Sequence, residues 1–203
     1  MADDSLCRWE PLSVEEVAHL FDGVSAPWWI AGGWAIDLFL HAVTRTHDDI
    51  DVGMLRADQA WIHRVLAGWD IQAADPPGTL RPWIAGECLP QGIHDIWCRE
   101  HPSAPWRLQF MLNESDGSDW VFRRDPAIRR PMATTTRRTP EGVPYMCPEI
   151  QLLFKSRGNR PKDEADLRNC LPRMTSDARH WLIENLRKEA PAHPWLAVLD
   201  ADS

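Results

Sequence analysis

The sequence predicts an α+β fold: a small mixed β-sheet flanked by helices, followed by a helical carboxy-terminal part. Three observations carry this reading. A strand-type run, a glycine pair and a helix-type run follow one another between residues 28 and 41. The segment DIDVGM then alternates acidic and aliphatic side chains, and several short β-rich runs follow it. From Pro148 onward the texture changes to helix-type segments with proline at first-turn positions. The length of 203 residues fits one domain, or one domain with a small helical appendage, and can bury a substantial core.

Taken in order, Ser13 and Glu16 form a capping box, and Val14, Val17 and Leu20 give a helical stripe that ends by about Asp22, with Gly23 as the stop. WWIA reads as a strand, Gly32 and Gly33 as a turn, and WAIDLFLH as a short buried helix. DIDVGM reads as a half-buried strand, and ADQAWIHRVLAGW as a helix closed by Gly68. DIQAA, GIHDIWCRE, WRLQFMLNE and DWVFRRD read as successive strands separated by Pro, Gly or Asp turns. PEIQLLFKSRG, PKDEADLRNCL and SDARHWLIENLRKEA read as helices, stopped by Gly158 and Pro172. The Pro-rich segment TPEGVPYMCPE joins the two parts, packed against the sheet or free of it.

Apolar residues make up 44% and charged residues 26%, the balance of a globular protein. No run approaches the roughly 20 apolar residues of a membrane span, and the acidic start MADDSLCRWEPL does not resemble a secretory signal. A cytoplasmic location is therefore expected. The five cysteines, Cys7, Cys88, Cys98, Cys147 and Cys170, form no CxxC pair and read as reduced thiols that mostly pack. A net charge of −8 disfavours a long nucleic-acid partner, which a basic face would normally grip. The basic clusters RRDPAIRRP and TTTRRTP suit a nucleoside triphosphate instead. Twelve tryptophans are expected to fill core and clefts, with some available to stack on a ligand.

The chemistry centres on Asp49 and Asp51. One residue apart on an expected strand, their side chains leave the same face while Ile50 is buried on the other. Two such carboxylates can bridge one magnesium ion, a hard cation that takes carboxylates together with phosphate oxygens and water. Gly32 and Gly33, between a strand and a helix start, leave backbone N–H groups free and let a phosphate approach closely. Together these features describe a nucleotide site.

The run GGWAIDLFL...TRTHDDIDVGM resembles the nucleotidyltransferase superfamily signature of a Gly-Gly or Gly-Ser turn followed by Asp-x-Asp. It is most similar to aminoglycoside 2''-adenylyltransferases, through Trp34 to Asp37 and Thr44 to Asp51. PEIQLLFKSRGNRPKDEADL in turn resembles a segment of lincosamide nucleotidyltransferases that ends in Lys-Asp-x-x-Asp. The resemblance covers residues 28–55 and 148–170 well and the middle only loosely.

It implies the nucleotidyltransferase fold, with residues 1–145 as catalytic domain and 146–203 as a helical region packed on it. It implies ATP or another nucleoside triphosphate as co-substrate and Mg2+ as cofactor, with Asp49 and Asp51 as metal ligands. Gly32, Gly33, Trp34, Arg45, Lys155 and Lys162 are implied at the nucleotide. Asp163 and Asp166 are implied to hold the helical part against the core, His47 to act as a hydrogen-bonded scaffold, and Asp37 and Asp48 to be structural.

One element of the superfamily pattern departs. The third carboxylate, expected from a neighbouring strand, aligns with Gln109, whose amide cannot take a proton. Asp95 and Glu114 are the available acids, with Asp95 favoured because aliphatic residues flank it on a strand expected beside the acidic one. The implied reaction is transfer of a nucleoside monophosphate to a hydroxyl of a small molecule, an aminoglycoside or a lincosamide antibiotic, with release of pyrophosphate. A toxin-type transferase acting on RNA or protein, and a nucleotide-binding protein without catalysis, remain as alternatives.

Overall fold

The computed structural model describes residues 8–158 and 160–201; Cys7 and the acids of the first seven residues lie outside the described residues. Helix α1 (Val14–Leu20) opens with the expected capping box. The Ser13 hydroxyl accepts from the Glu16 N–H, and the Glu16 carboxylate accepts from the Ser13 N–H. Strand β1 (Trp28–Ile30), helix α2 (Gly32–Leu40) and strand β2 (Asp51–Leu55) follow. Both glycines thus belong to the first turn of α2, and Asp49 precedes its strand. A 3-10 turn at Arg56–Asp58 shortens α3 to Ala60–Val65, because Gln59 turns its amide to Leu89 N–H and Arg56 O.

Strands β3 (Asp70–Ala74), β4 (Leu80–Pro82), β5 (Asp95–Arg99), β6 (Leu108–Asp116), β7 (Asp119–Val121), β8 (Arg129–Pro131), β9 (Thr136–Arg138) and β10 (Pro144–Met146) complete the sheet. Its order is β4-β3-β5-β6-β2-β1-β10-β9, with β7 on β6 and β8 on β7. The sheet is mixed: β2 runs parallel to β6 and β1 parallel to β10, and the other pairs are antiparallel. The Pro-rich join is therefore part of the sheet. Pro144 opens β10, where a missing N–H is tolerated, and Tyr145 pairs with Ile30.

Helices α4 (Pro148–Lys155), α5 (Pro161–Cys170), α6 (Ser176–Glu189) and α7 (Trp195–Ala201) form the carboxy-terminal part. One contiguous core runs from Leu12 through Val52, Phe110 and Leu153 to Leu199, so the helices share the interior of the sheet. Cys98, Cys147 and Cys170 are buried free thiols whose pKa values burial raises, Cys170 to about 12. Among the described residues no helix is long and apolar enough to cross a membrane.

Candidate active site

The site forms where β1 ends and β2 begins. Ala31 has no polar side chain with which to cap α2, so the orphan N–H groups of the first turn look outward. One is taken by α4: the Gly32 N–H donates to Gln151 Oε1 at 2.9 Å. Gly32 sits at φ +64°, a left-handed conformation that glycine adopts without strain. A Cβ there would collide with the Asp51 carboxylate, and one on Gly33 would meet the Arg45 guanidinium and the His47 ring. The glycines thus let acid, base and helix start converge on one point.

The loop carrying Asp49 is pinned from below. His47 Nε2 lies 2.6 Å from Asp37 Oδ2, the other Asp37 oxygen accepts from Thr44 Oγ1 at 2.6 Å, and the His47 ring stacks on Trp34 with centroids 4.4 Å apart. His47 and Asp37 therefore build the scaffold under Gly33. Trp34 lines a separate surface groove with Asp37 and His41. The turn of the helix carries it away from the glycine face, and the structure does not bring it to the cleft.

The cleft itself is lined by Gly32, Gly33, Asp49 and Asp51 together with six bases: Arg45, Arg123, Arg124, Lys155, Arg160 and Lys162. Lys155 is buried and ion-paired to Asp166 at 2.9 Å and Asp163 at 3.4 Å; Arg45 reaches Asp166 at 3.4 Å, and Arg160 holds Asp163 at 2.7 Å. Asp163 and Asp166 thus tie α5 to α4 and to the loop before β2. Burial pushes the Asp163 carboxyl up, but hydrogen bonds from Arg160 and the charge of Lys155 hold it below its ordinary value. Lys162 is exposed, with no ion pair among the described residues.

Asp51 is raised to about 7, first by burial and then by the charge of Asp49, with a smaller push from Asp95; Lys155 and Lys162 oppose the shift. Across the sheet Asp51 registers with Gln109 on β6, and Gly53 with Met111, which in turn registers with Asp95 on β5. An amide, and not a carboxylate, therefore neighbours Asp51 on the adjoining strand. Asp95 lies a strand further and one row along, outside the cleft lining, with a buried Oδ1 that has no hydrogen-bond partner. Glu114 is taken by Arg56 at 2.7 Å.

Several lining residues escaped the sequence reading: Met111, Asn113, Gln151, Phe154, Arg123 and Arg124. The signal for the two arginines was present in RRDPAIRRP, yet that cluster divides. Arg129 pairs with Asp116 and Arg130 with Glu149, each at 2.6 Å, so only the first pair reaches the cleft. No tryptophan lines it among the described residues; Trp29, Trp106 and Trp120 are instead fully buried. The net acidity of the chain likewise stops at its mouth.

Sheet, flanking helices and the glycine turn facing Asp51 define the nucleotidyltransferase fold, and solved structures agree. A lincosamide antibiotic adenylyltransferase, LnuA, bound to lincomycin, matches 80% of this chain and 96% of its own, with a TM-score of 0.54 and 18% identity. ANT(2'')-Ia in complex with adenylyl-2''-tobramycin matches 87% of this chain and 97% of its own, with a TM-score of 0.56 and 17% identity.

In sequence, the family model of aminoglycoside-2''-adenylyltransferase matches residues 13–75. A 2''-aminoglycoside nucleotidyltransferase of Escherichia coli is 38% identical over 65 residues, which are 30% of this chain and 37% of the relative. One of Klebsiella pneumoniae is 49% identical over 39 residues, 19% of this chain and 22% of the relative. The resemblance read from the motifs is borne out, and the matched stretches span 37% and 22% of these relatives' length.

Proposed function

We propose that the protein transfers a nucleoside monophosphate, from ATP or another nucleoside triphosphate, to a hydroxyl of a small molecule. The observation that supports this most is the convergence of Asp49 and Asp51 on the glycine-opened start of α2, ringed by bases. The matched relatives are named for aminoglycosides, and one structural neighbour binds lincomycin, so these are the first acceptors to test.

The donor set fits magnesium. Asp49 and Asp51 offer two hard oxygen donors that line the cleft beside its bases. That arrangement suits an ion completed by phosphate oxygens and water. When bound, magnesium offsets charge on the phosphates and on the leaving pyrophosphate. The first-turn N–H groups of α2 other than that of Gly32, which Gln151 takes, cradle the phosphates, and Arg45, Lys155 and Lys162 offset their charge. The acceptor oxygen bonds to the α-phosphorus, the bond from that phosphorus to the bridging oxygen breaks, and pyrophosphate leaves. Gln109 can orient the hydroxyl but cannot take its proton. With Glu114 held by Arg56, Asp95 is the acid left for that role, acting through a water because it stands outside the cleft lining.

Purified protein with magnesium and ATP is expected to release pyrophosphate when a suitable acceptor from an antibiotic panel is added, and Asp49→Asn to lose that release. Equal release by the variant would sink the assignment. Gln109 opposite Asp51 favours a second reading, nucleotide binding without turnover. Tight magnesium-dependent ATP binding with no product from any acceptor would support it.

A further inference from the structure

Gln151 and Lys155 lie four residues apart on α4, so they share a helix face, and both line the cleft. They are engaged differently. The Lys155 ammonium is shared between Asp166 at 2.9 Å and Asp163 at 3.4 Å. Gln151 uses only half of its amide: Oε1 accepts the Gly32 N–H at 2.9 Å, whereas Nε2, with two N–H groups, makes no hydrogen bond among the described residues.

Chemistry fixes which way this amide faces. A backbone N–H can only donate, so the atom that meets Gly32 is the oxygen, and the planar amide turns its nitrogen away from the glycine. Gln151 is 7% exposed, and the space it borders is the cleft, whose wall it forms with Gly32, Asp49 and Asp51. A ligand that fills this cleft displaces water from the two Nε2 donors and must offer an acceptor instead. Because its oxygen touches Gly32, the amide stands beside the first turn of α2, where the triphosphate is proposed to lie. On that turn the Asp51 carboxylate is the group that a Cβ at Gly32 would strike. A neutral donor in this place can bind a phosphate oxygen without drawing Asp51 into an ion pair, as a lysine or arginine would.

We propose that Gln151 is a two-sided residue of the donor site: its oxygen holds the first turn of α2 at Gly32, and its Nε2 donates to a phosphate oxygen of the nucleoside triphosphate. This rests on the transferase reading and adds to its donor machinery a neutral side chain from the carboxy-terminal helices. One amide thereby joins α4 to the glycine turn and both to the nucleotide.

The test uses the full protein with magnesium and a non-hydrolysable ATP analogue. Gln151→Met, close in size and lacking both amide groups, should weaken analogue binding about ten-fold or more and lower Tm through loss of the Gly32 contact. Gln151→Glu keeps an acceptor for the Gly32 N–H, so its Tm should stay near wild type while analogue binding remains weak. In nuclear magnetic resonance spectra of isotopically labelled wild type, the Gln151 side-chain amide is assigned by its disappearance in Gln151→Glu. When the analogue is added, one of the two amide protons should move downfield and exchange more slowly with water. Amide protons that do not respond, equal analogue binding by Gln151→Met, or full recovery of binding in Gln151→Glu would each overturn the contact and leave the transferase reading standing. Failure of the analogue to bind wild-type protein would defeat the transferase reading itself.

Discussion

The two halves of the cleft were built under different constraints. On the glycine side a helix start opened by Gly32 meets paired carboxylates, and Lys155, Arg45 and Arg160 are moored by Asp163 and Asp166, the arrangement proposed above to take phosphates. On the β6 side Gln109 registers with Asp51, Met111 and Asn113 line the wall, and Arg123 packs on the Phe154 ring. The matched sequence, residues 13–75, contains the first glycine-side elements and none of β6. The difference teaches that the likeness in sequence lies on the side proposed for the donor and does not reach the wall proposed for the acceptor, as expected of one scaffold serving several functions.

The largest effect is expected on the donor side. Asp49→Asn or Asp51→Asn should lower kcat by roughly 100-fold or more, because each removes a carboxylate proposed to hold the magnesium that offsets phosphate charge; pyrophosphate release measures it. Gly32→Ala should come close to this, since it sets a methyl against Asp51 at a φ of +64° and adds strain of about 1–3 kcal/mol. A normal rate in Gly32→Ala would break the idea that this turn must be open.

The acceptor side offers a smaller, sharper contrast. Asp95→Asn should lower kcat by about 10- to 100-fold, as for loss of a base. Gln109→Asp, which restores an acid opposite Asp51, should recover part of that rate in the double variant. An unchanged kcat in Asp95→Asn would assign the proton to water.

Stability separates the halves again. In metal-free protein Asp51 keeps its proton up to about pH 7, against an ordinary value of 3.8, so the fold binds more protons than the unfolded chain between these limits. Metal-free wild type should accordingly lose stability as pH rises from about 4 to about 7. Asp51→Asn should flatten that slope and raise Tm at pH 8 by roughly 2–8 °C, as expected for about 1–2 kcal/mol in a chain of this size. Thermal melts with a chelator across pH decide it. Smallest is Ser13→Ala, which removes the α1 cap at about 1 kcal/mol and should leave transfer untouched.

What the sequence made legible follows the same division. The α1 capping box, the strand of Asp51 and the helices from Pro148 carry periodic or capping signals longer than a turn, and β1 is an apolar run set off by the glycine pair, so these were readable. Strands β4, β8, β9 and β10 have three residues each, too few for alternation to register. Pairing with β1 makes Pro144–Met146 a strand, and nothing local does so. Arg123 was visible only as one member of a basic cluster. Its separation from Arg129 and Arg130 depends on Asp116 and Glu149, brought near by the fold.

The most direct measurement of the central claim is the magnesium dependence of ATP binding, titrated with and without the metal in wild type, Asp49→Asn and Asp51→Asn. Wild type should bind ATP at least about ten-fold more tightly with magnesium, and that increment should vanish in both variants even where binding without metal improves through lost repulsion. The same magnesium increment in wild type and variants would contradict the account.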